Sequence, residues 1–145
     1  MSAPASLLTE HVYDEPGYRP LVDFGAWRVA VLNAIDELAP ARLTDMQRHD
    51  ETDEVFVLLS GRCILFLGEG DASVTAIHAV DMVPGRVYNV RRGAWHTHTL
   101  DAAGSVLVVE NRDTTYENSP RVPLAPAQTA NIVAETARLW PDAGT

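Results

Sequence analysis

Gln47-Arg48-His49-Asp50-Glu51-Thr52-Asp53-Glu54-Val55-Phe56-Val57-Leu58-Leu59-Ser60-Gly61 is the stretch on which the reading of this chain turns. Its first half is polar and holds three side chains able to bind a metal, Gln47, His49 and Glu54. Gln47 and His49 are two apart, so on an extended backbone they face the same way. From Glu54 to Leu59 the chain is almost continuously apolar and of strand length. Such a run predicts a strand covered on both faces. Ser60-Gly61 reads as a turn, and Arg62 to Leu67 predicts the returning strand of a hairpin.

The same rhythm of short apolar runs and turns extends in both directions. Downstream, Val74 to Val80 and Val87 to Val90 predict strands on either side of Pro84-Gly85. Beyond Arg92-Gly93, His96 to Leu100 and Val106 to Val109 predict two more. Upstream, Trp27 to Leu32 is rich in strand formers. About seven strands at a spacing of roughly 8–12 residues make the pattern of a β-sandwich or barrel, here residues 27–119. Residues 1–26 carry Pro4, Pro16, Gly17 and Pro20 and predict an irregular N-terminal arm. In residues 120–145, Pro120, Pro123 and Pro126 make a stiff connector. Ala127 to Trp140 then places Ile132, Val133, Thr136 and Leu139 at helical spacing before Pro141, which predicts a C-terminal amphipathic helix packed by those four residues.

Composition narrows the function. A chain of 145 residues is one domain. Its 20 acidic and 11 basic residues leave a net charge of −9, spread along the sequence, which argues against nucleic acid and anionic membranes as partners. All basic residues are arginine, so Schiff-base chemistry and a P-loop lysine are excluded. The single cysteine, Cys63, forms no intramolecular disulfide and sits in an apolar strand as a buried hydrophobe. Met1-Ser2-Ala3-Pro4 has no signal-peptide character, and no apolar run reaches the ~20 residues that span a bilayer. The expected location is the cytoplasm.

A second segment carries chemistry. In Trp95-His96-Thr97-His98-Thr99-Leu100, strand alternation puts His96, His98 and Leu100 on one face. Together the two segments resemble the paired motifs of the cupin superfamily. The first motif is His-x-His, four residues, Glu, six residues, Gly, and Gln47 to Gly61 keeps its spacing with Gln47 at the first histidine. The second is Gly, five residues, Pro-x-Gly, two residues, His, three residues, Asn. Gly85 to Leu100 keeps that spacing, with Arg91 in place of the proline and Leu100 in place of the asparagine. The likeness runs from Trp27 to Glu110 and is to small single-domain bacterial cupins of undetermined function.

The resemblance implies an all-β fold, the cupin double-stranded β-helix or jelly-roll barrel, with the N-terminal arm and C-terminal helix added. It implies metal ligands at His49, Glu54 and His96, with Gln47 as a fourth. Two imidazoles and a carboxylate suit Fe(II) and accept Mn, Ni or Zn, so the expected cofactor is one divalent transition metal. A hydrogen-bonded core cluster is the alternative for the same residues. His98 is a candidate catalytic acid or base, or a partner that orients a ligand. Tyr88 and Arg91 are candidate substrate-binding residues at the barrel mouth, although an exposed arginine is commonly just solvated. Glu110 to Thr115 either turns the chain or lines the mouth.

Three functions remain open. One is a metal-dependent enzyme acting on a small polar metabolite, a sugar or a hydroxy or keto acid. The others are a non-catalytic binding or sensing module and a structural dimer without metal. The expected partners are a small-molecule ligand and a second copy in a homodimer, joined in part by the arm.

Overall fold

Residues 3–142 are described by a computed structural model, in which ten strands and one helix form two packed layers and a cover. The strands are β1 (Gly17–Phe24), β2 (Trp27–Asn33), β3 (Asp45–Gln47), β4 (Glu54–Ser60), β5 (Cys63–Glu69), β6 (Ala76–Asp81), β7 (Val87–Val90), β8 (Trp95–Leu100), β9 (Ser105–Asn111) and β10 (Arg121–Pro123). The helix α1 spans Pro126–Leu139. One sheet has the order β1-β2-β9-β4-β7 and the other β10-β3-β8-β5-β6, all neighbours antiparallel. This is the jelly-roll barrel that the sequence predicts.

Alternation along the strands builds two cores. Inside the barrel, Ala30, Leu32, Phe56, Leu58, Val106 and Val108 of the first sheet meet Cys63, Leu65 and Leu100 of the second. Residues one step along the second sheet point the other way. Met46, Ile64, Phe66 and Trp95 form a separate cluster with Ile132 and Trp140 of the helical tail. Trp140 is fixed there by its indole N–H, which donates to Asp81 Oδ1 at 2.9 Å, and by the Arg62 guanidinium over its ring.

Three local features differ from expectation. β4 and β5 do not form a hairpin. β4 pairs with β7 and β9, whereas β5 pairs with β6 and β8, so the chain changes sheets at Ser60-Gly61. Gly61 has φ +62, and a Cβ there would lie 2.3 Å from the Ala103 carbonyl carbon. The tight, left-handed crossing sends the second apolar run to face the first rather than to lie beside it. Secondly, the lead-in is not irregular throughout, since its residues 17–24 are β1. Pro20 is tolerated because β1 is an edge strand with a register shift between Pro20 and Val22. Thirdly, the connector contributes β10, which pairs with β3.

The helix lies where its spacing places it. Pro126 stands in its first turn, and the Gln128 side chain accepts the Ala125 N–H at 2.9 Å. Ile132 and Thr136 are buried and Leu139 packs at the cluster's rim, while Val133 turns outward.

Candidate metal centre

His49 lies in the loop after β3, Glu54 opens β4 and His96 is the second residue of β8. β3 and β8 belong to the second sheet and β4 to the first, so the cluster bridges the two walls of the barrel. All three residues are buried. His49 Nε2 lies 2.5 Å and His96 Nε2 3.0 Å from the same oxygen, Glu54 Oε2. The outer nitrogens are also held. His96 Nδ1–H donates to the Ala94 carbonyl at 3.0 Å, and His49 Nδ1 lies 2.7 Å from Ser119 Oγ. Such outer partners orient imidazoles whose inner lone pairs bind metal.

The donor set suits a divalent metal. Its three donor atoms lie within 4.8 Å of one another. Neighbouring ligands on an octahedral ion with bonds of about 2.1 Å stand about 3 Å apart. Two nitrogens and one carboxylate oxygen are also the donors a first-row transition metal prefers.

The electrostatics are those of a site gathered in a dry place. Burial works against ionisation of Glu54, but the hydrogen bonds from His49 and His96 outweigh it and hold the carboxyl at about 2. Burial likewise works against a charged His49, and the Glu54 carboxylate outweighs it, so that imidazole is raised. Glu110, on β9, is pushed up by burial and by the charge of Glu54. Tyr18, on β1, donates its hydroxyl to Glu110 Oε1 at 2.5 Å, and burial with that carboxylate raises the phenol well above its ordinary value. Burial pushes His98 down to about 4, so the imidazole is neutral at neutral pH. Its Nδ1 is buried without a hydrogen-bond partner among the described residues.

A cavity of about 440 Å³ opens beside the cluster, with Tyr18, Gln47, His98, Glu110, Tyr116 and Arg121 in its walls. Gln47 sits opposite His96 in the ladder, but its Oε1 accepts a hydrogen bond from Arg121 at 2.9 Å and points to that guanidinium. His49, Glu54 and His96 are thus brought together, and Gln47 and His98 are beside them in the cavity. Tyr88 and Arg91 are not among the cavity-lining residues. Tyr88 packs its ring against the inner core and accepts the Val83 N–H on its hydroxyl at 2.9 Å, and Arg91 leaves the end of β7 into solvent.

Sequence reasoning did not single out Tyr18, Ser119 or Arg121, and it named Glu110 only within a segment, Glu110 to Thr115, that turns the chain or lines the mouth; Glu110, Thr114 and Thr115 do line the cavity. For Glu110 a signal was present, because alternation from Val106 and Val108 carries the inner face on to it. Tyr18 was hidden by the prolines around it. Ser119 and Arg121 come close only through the pairing of β10 with β3, which short local patterns do not report.

No protein-family model matches the chain, and no curated protein matches its sequence. Solved structures match its architecture. CapF of Staphylococcus aureus, a capsular polysaccharide assembling protein, superposes with a TM-score of 0.54 and 15% identity over 83% of this chain and 34% of CapF. A variant of Streptomyces PAC13, solved with uridine, superposes with a TM-score of 0.51 and 9% identity over 76% of this chain and 82% of PAC13.

The chain has the cupin fold.

A cupin-2 domain protein of Shewanella frigidimarina also aligns, with a TM-score of 0.46 and 15% identity over 74% of this chain and 87% of that one. The chain spans about a third of CapF but most of PAC13. No helix among the described residues is long and apolar enough to cross a membrane.

Proposed function

We propose that this cupin holds one divalent transition metal on His49, Glu54 and His96 and binds or transforms a small polar metabolite in the adjoining cavity. The observation that carries the reading is the convergence of both Nε2 atoms on Glu54 Oε2, with both outer nitrogens engaged elsewhere. A metal there would act as a Lewis acid toward a carbonyl or hydroxyl oxygen of the ligand.

The chain's own groups set the ligand class. Arg121, partly exposed in the cavity wall and already paired with Asp45 Oδ1 and Gln47 Oε1 at 2.9 Å each, has its remaining N–H groups for a ligand oxygen. The Tyr18–Glu110 pair offers a hydroxyl and a carboxylate to sugar or acid hydroxyls. His98 offers an unpaired nitrogen and, being neutral, serves hydrogen bonding better than proton donation. This set suits a sugar or a hydroxy or keto acid, and the uridine-bearing PAC13 structure is a related architecture containing a small polar ligand. The non-catalytic reading, a binding or sensing cupin, draws on Gln47, whose amide oxygen is committed to Arg121.

The test is elemental analysis of protein purified without chelator, beside His96→Ala. Near-stoichiometric metal in the wild type and its loss in the variant are expected. Failure to take up Fe(II), Mn(II), Ni(II) or Zn(II) on reconstitution would leave a hydrogen-bonded cluster and a metal-free protein.

A further inference from the structure

Gln47 stands where the cupin motif has a histidine ligand, and its neighbours give it a different task. Met46 of β3 and Val122 of β10 point outward to the helix cluster, so alternation sends Gln47 and Arg121 inward as a cross-strand pair. Arg121 Nη2–H donates to Gln47 Oε1 at 2.9 Å, and Nη1–H donates to Asp45 Oδ1 at 2.9 Å. A guanidinium has only donors, so it fixes which way the Gln47 amide is turned. Ligation of a metal through the same oxygen would bring a second cation against that guanidinium. The amide nitrogen is turned away from Arg121, and among the described residues its two N–H groups have no hydrogen-bond partner. Gln47 is half-buried and lines the cavity.

The cavity is therefore polarised between the two sheets. On the β3–β10 side of the second sheet stand N–H donors, the Gln47 amide and the N–H groups that Arg121 has left. Across from them the first sheet brings in two carboxylates, Glu54 of β4 and Glu110 of β9. Glu110 Oε1 accepts the Tyr18 hydroxyl, and Oε2 lies 3.9 Å from His49 Nε2. His98, also in the wall, has a buried Nδ1 without a partner among the described residues. A ligand hydroxyl both donates and accepts, so it satisfies that nitrogen in either tautomer.

We propose that Gln47 is a ligand-reading donor and not a metal ligand, and that with Arg121 it holds the carboxylate of a polyhydroxy acid whose hydroxyls face Glu110 and His98. The proposal rests on the reading that this cavity takes a small polar ligand, and it narrows that ligand to a sugar acid. Two donor side chains adjacent on paired strands match the two oxygens of one carboxylate. The opposite orientation would set the ligand's carboxylate against Glu54 and Glu110. A ligand without hydroxyls would leave the open Glu110 oxygen and His98 unmatched.

Calorimetric titration of the full chain with gluconate, and with its uncharged counterpart glucitol, tests the assignment in metal-free and Zn(II)-reconstituted protein. The wild type is expected to bind gluconate at least about tenfold more tightly than glucitol. Gln47→Met, of similar length and without donors, is expected to keep the wild-type metal content and to lose about tenfold in gluconate affinity, with glucitol affinity unchanged. Gln47→Glu keeps an oxygen for Arg121 but no donor. It is expected to lose at least as much gluconate affinity, and it serves as the test if the methionine variant does not fold. Loss of metal from Gln47→Met, gluconate binding that both variants leave unchanged, or glucitol bound as tightly as gluconate overturns the proposal. A wild type that takes up no metal, yet prefers gluconate and loses that preference in Gln47→Met, supports it and overturns only the metal reading.

Discussion

Both sheets of this barrel have outer faces rich in apolar residues, and the chain treats them differently. On the second sheet Ile64, Phe66 and Trp95 lie beneath a helix that brings Ile132 and Trp140 onto them. On the first sheet no helix among the described residues lies over the rows through Val57 and Val55. The difference teaches that an apolar strand run reports only that two coverings are needed. It does not say whether the second covering is intramolecular. The helical tail covers one wall, and no helix among the described residues covers the other.

The comparison can be broken most directly with Ile132→Ala. Ile132 is wholly buried under the helix, and its truncation is expected to cost about 4 kcal/mol in chemical denaturation. Val57→Ala, on the outer face of the first sheet where no helix packs, is expected to cost less than about 1 kcal/mol. Equal losses would mean that the first sheet is covered within the chain after all. Next comes the bond between the sheets. In metal-free protein, Glu54 is held at about 2, below its ordinary 4.5. Its contribution is therefore complete above pH 4.5 and is lost as the pH falls toward 2, a decline of up to about 3 kcal/mol. Glu54→Gln is expected to flatten that decline in denaturation curves run at several pH values. A smaller effect sharpens the account of the helix edge. Leu139 is only partly buried, and Leu139→Asp is expected to destabilise by about 2 kcal/mol, less than any substitution that empties the Ile132 site. The smallest effect is chemical. Cys63 faces the inner core, where burial first and the Asp81 and Asp101 charges second push its thiol up to about 12. It is expected to ignore thiol reagents in the native protein and to react fully in denaturant.

How legible this was in the sequence depends on the range of the interaction concerned. The strands from β4 to β9 and the helix follow from local periodicity, because alternation and helical spacing are properties of a few consecutive residues. The three metal-binding candidates were legible because the motif spacing around Glu54 and His96 is itself local. β1 escaped because Pro16, Pro20 and the register shift conceal its alternation. The supposed hairpin at Gly61 failed because a glycine turn states that the chain reverses, not which sheet it enters. Arg121, whose hydrogen bond claims the Gln47 oxygen, reaches its partner across 74 residues, beyond any local pattern.

The crossing at Gly61 also sets the order in which the protein can be made. The neighbour in sequence that β4 would most readily meet, β5, is the one it must not pair with, and its true partners are β7 and β9. Pairings so distant in sequence fold slowly, since a long loop must close before any contact rewards it. On the ribosome β4 has no partner until β7 has emerged at Val90, and its second edge stays open until β9 has emerged at Asn111. A β4–β5 hairpin is the obvious trap during that wait. Gly61, seated against the Ala103–Gly104 backbone, secures the exit from it only when that later segment arrives. The nascent barrel thus carries exposed apolar strand surface through much of its synthesis, and slow refolding from denaturant is the expected consequence.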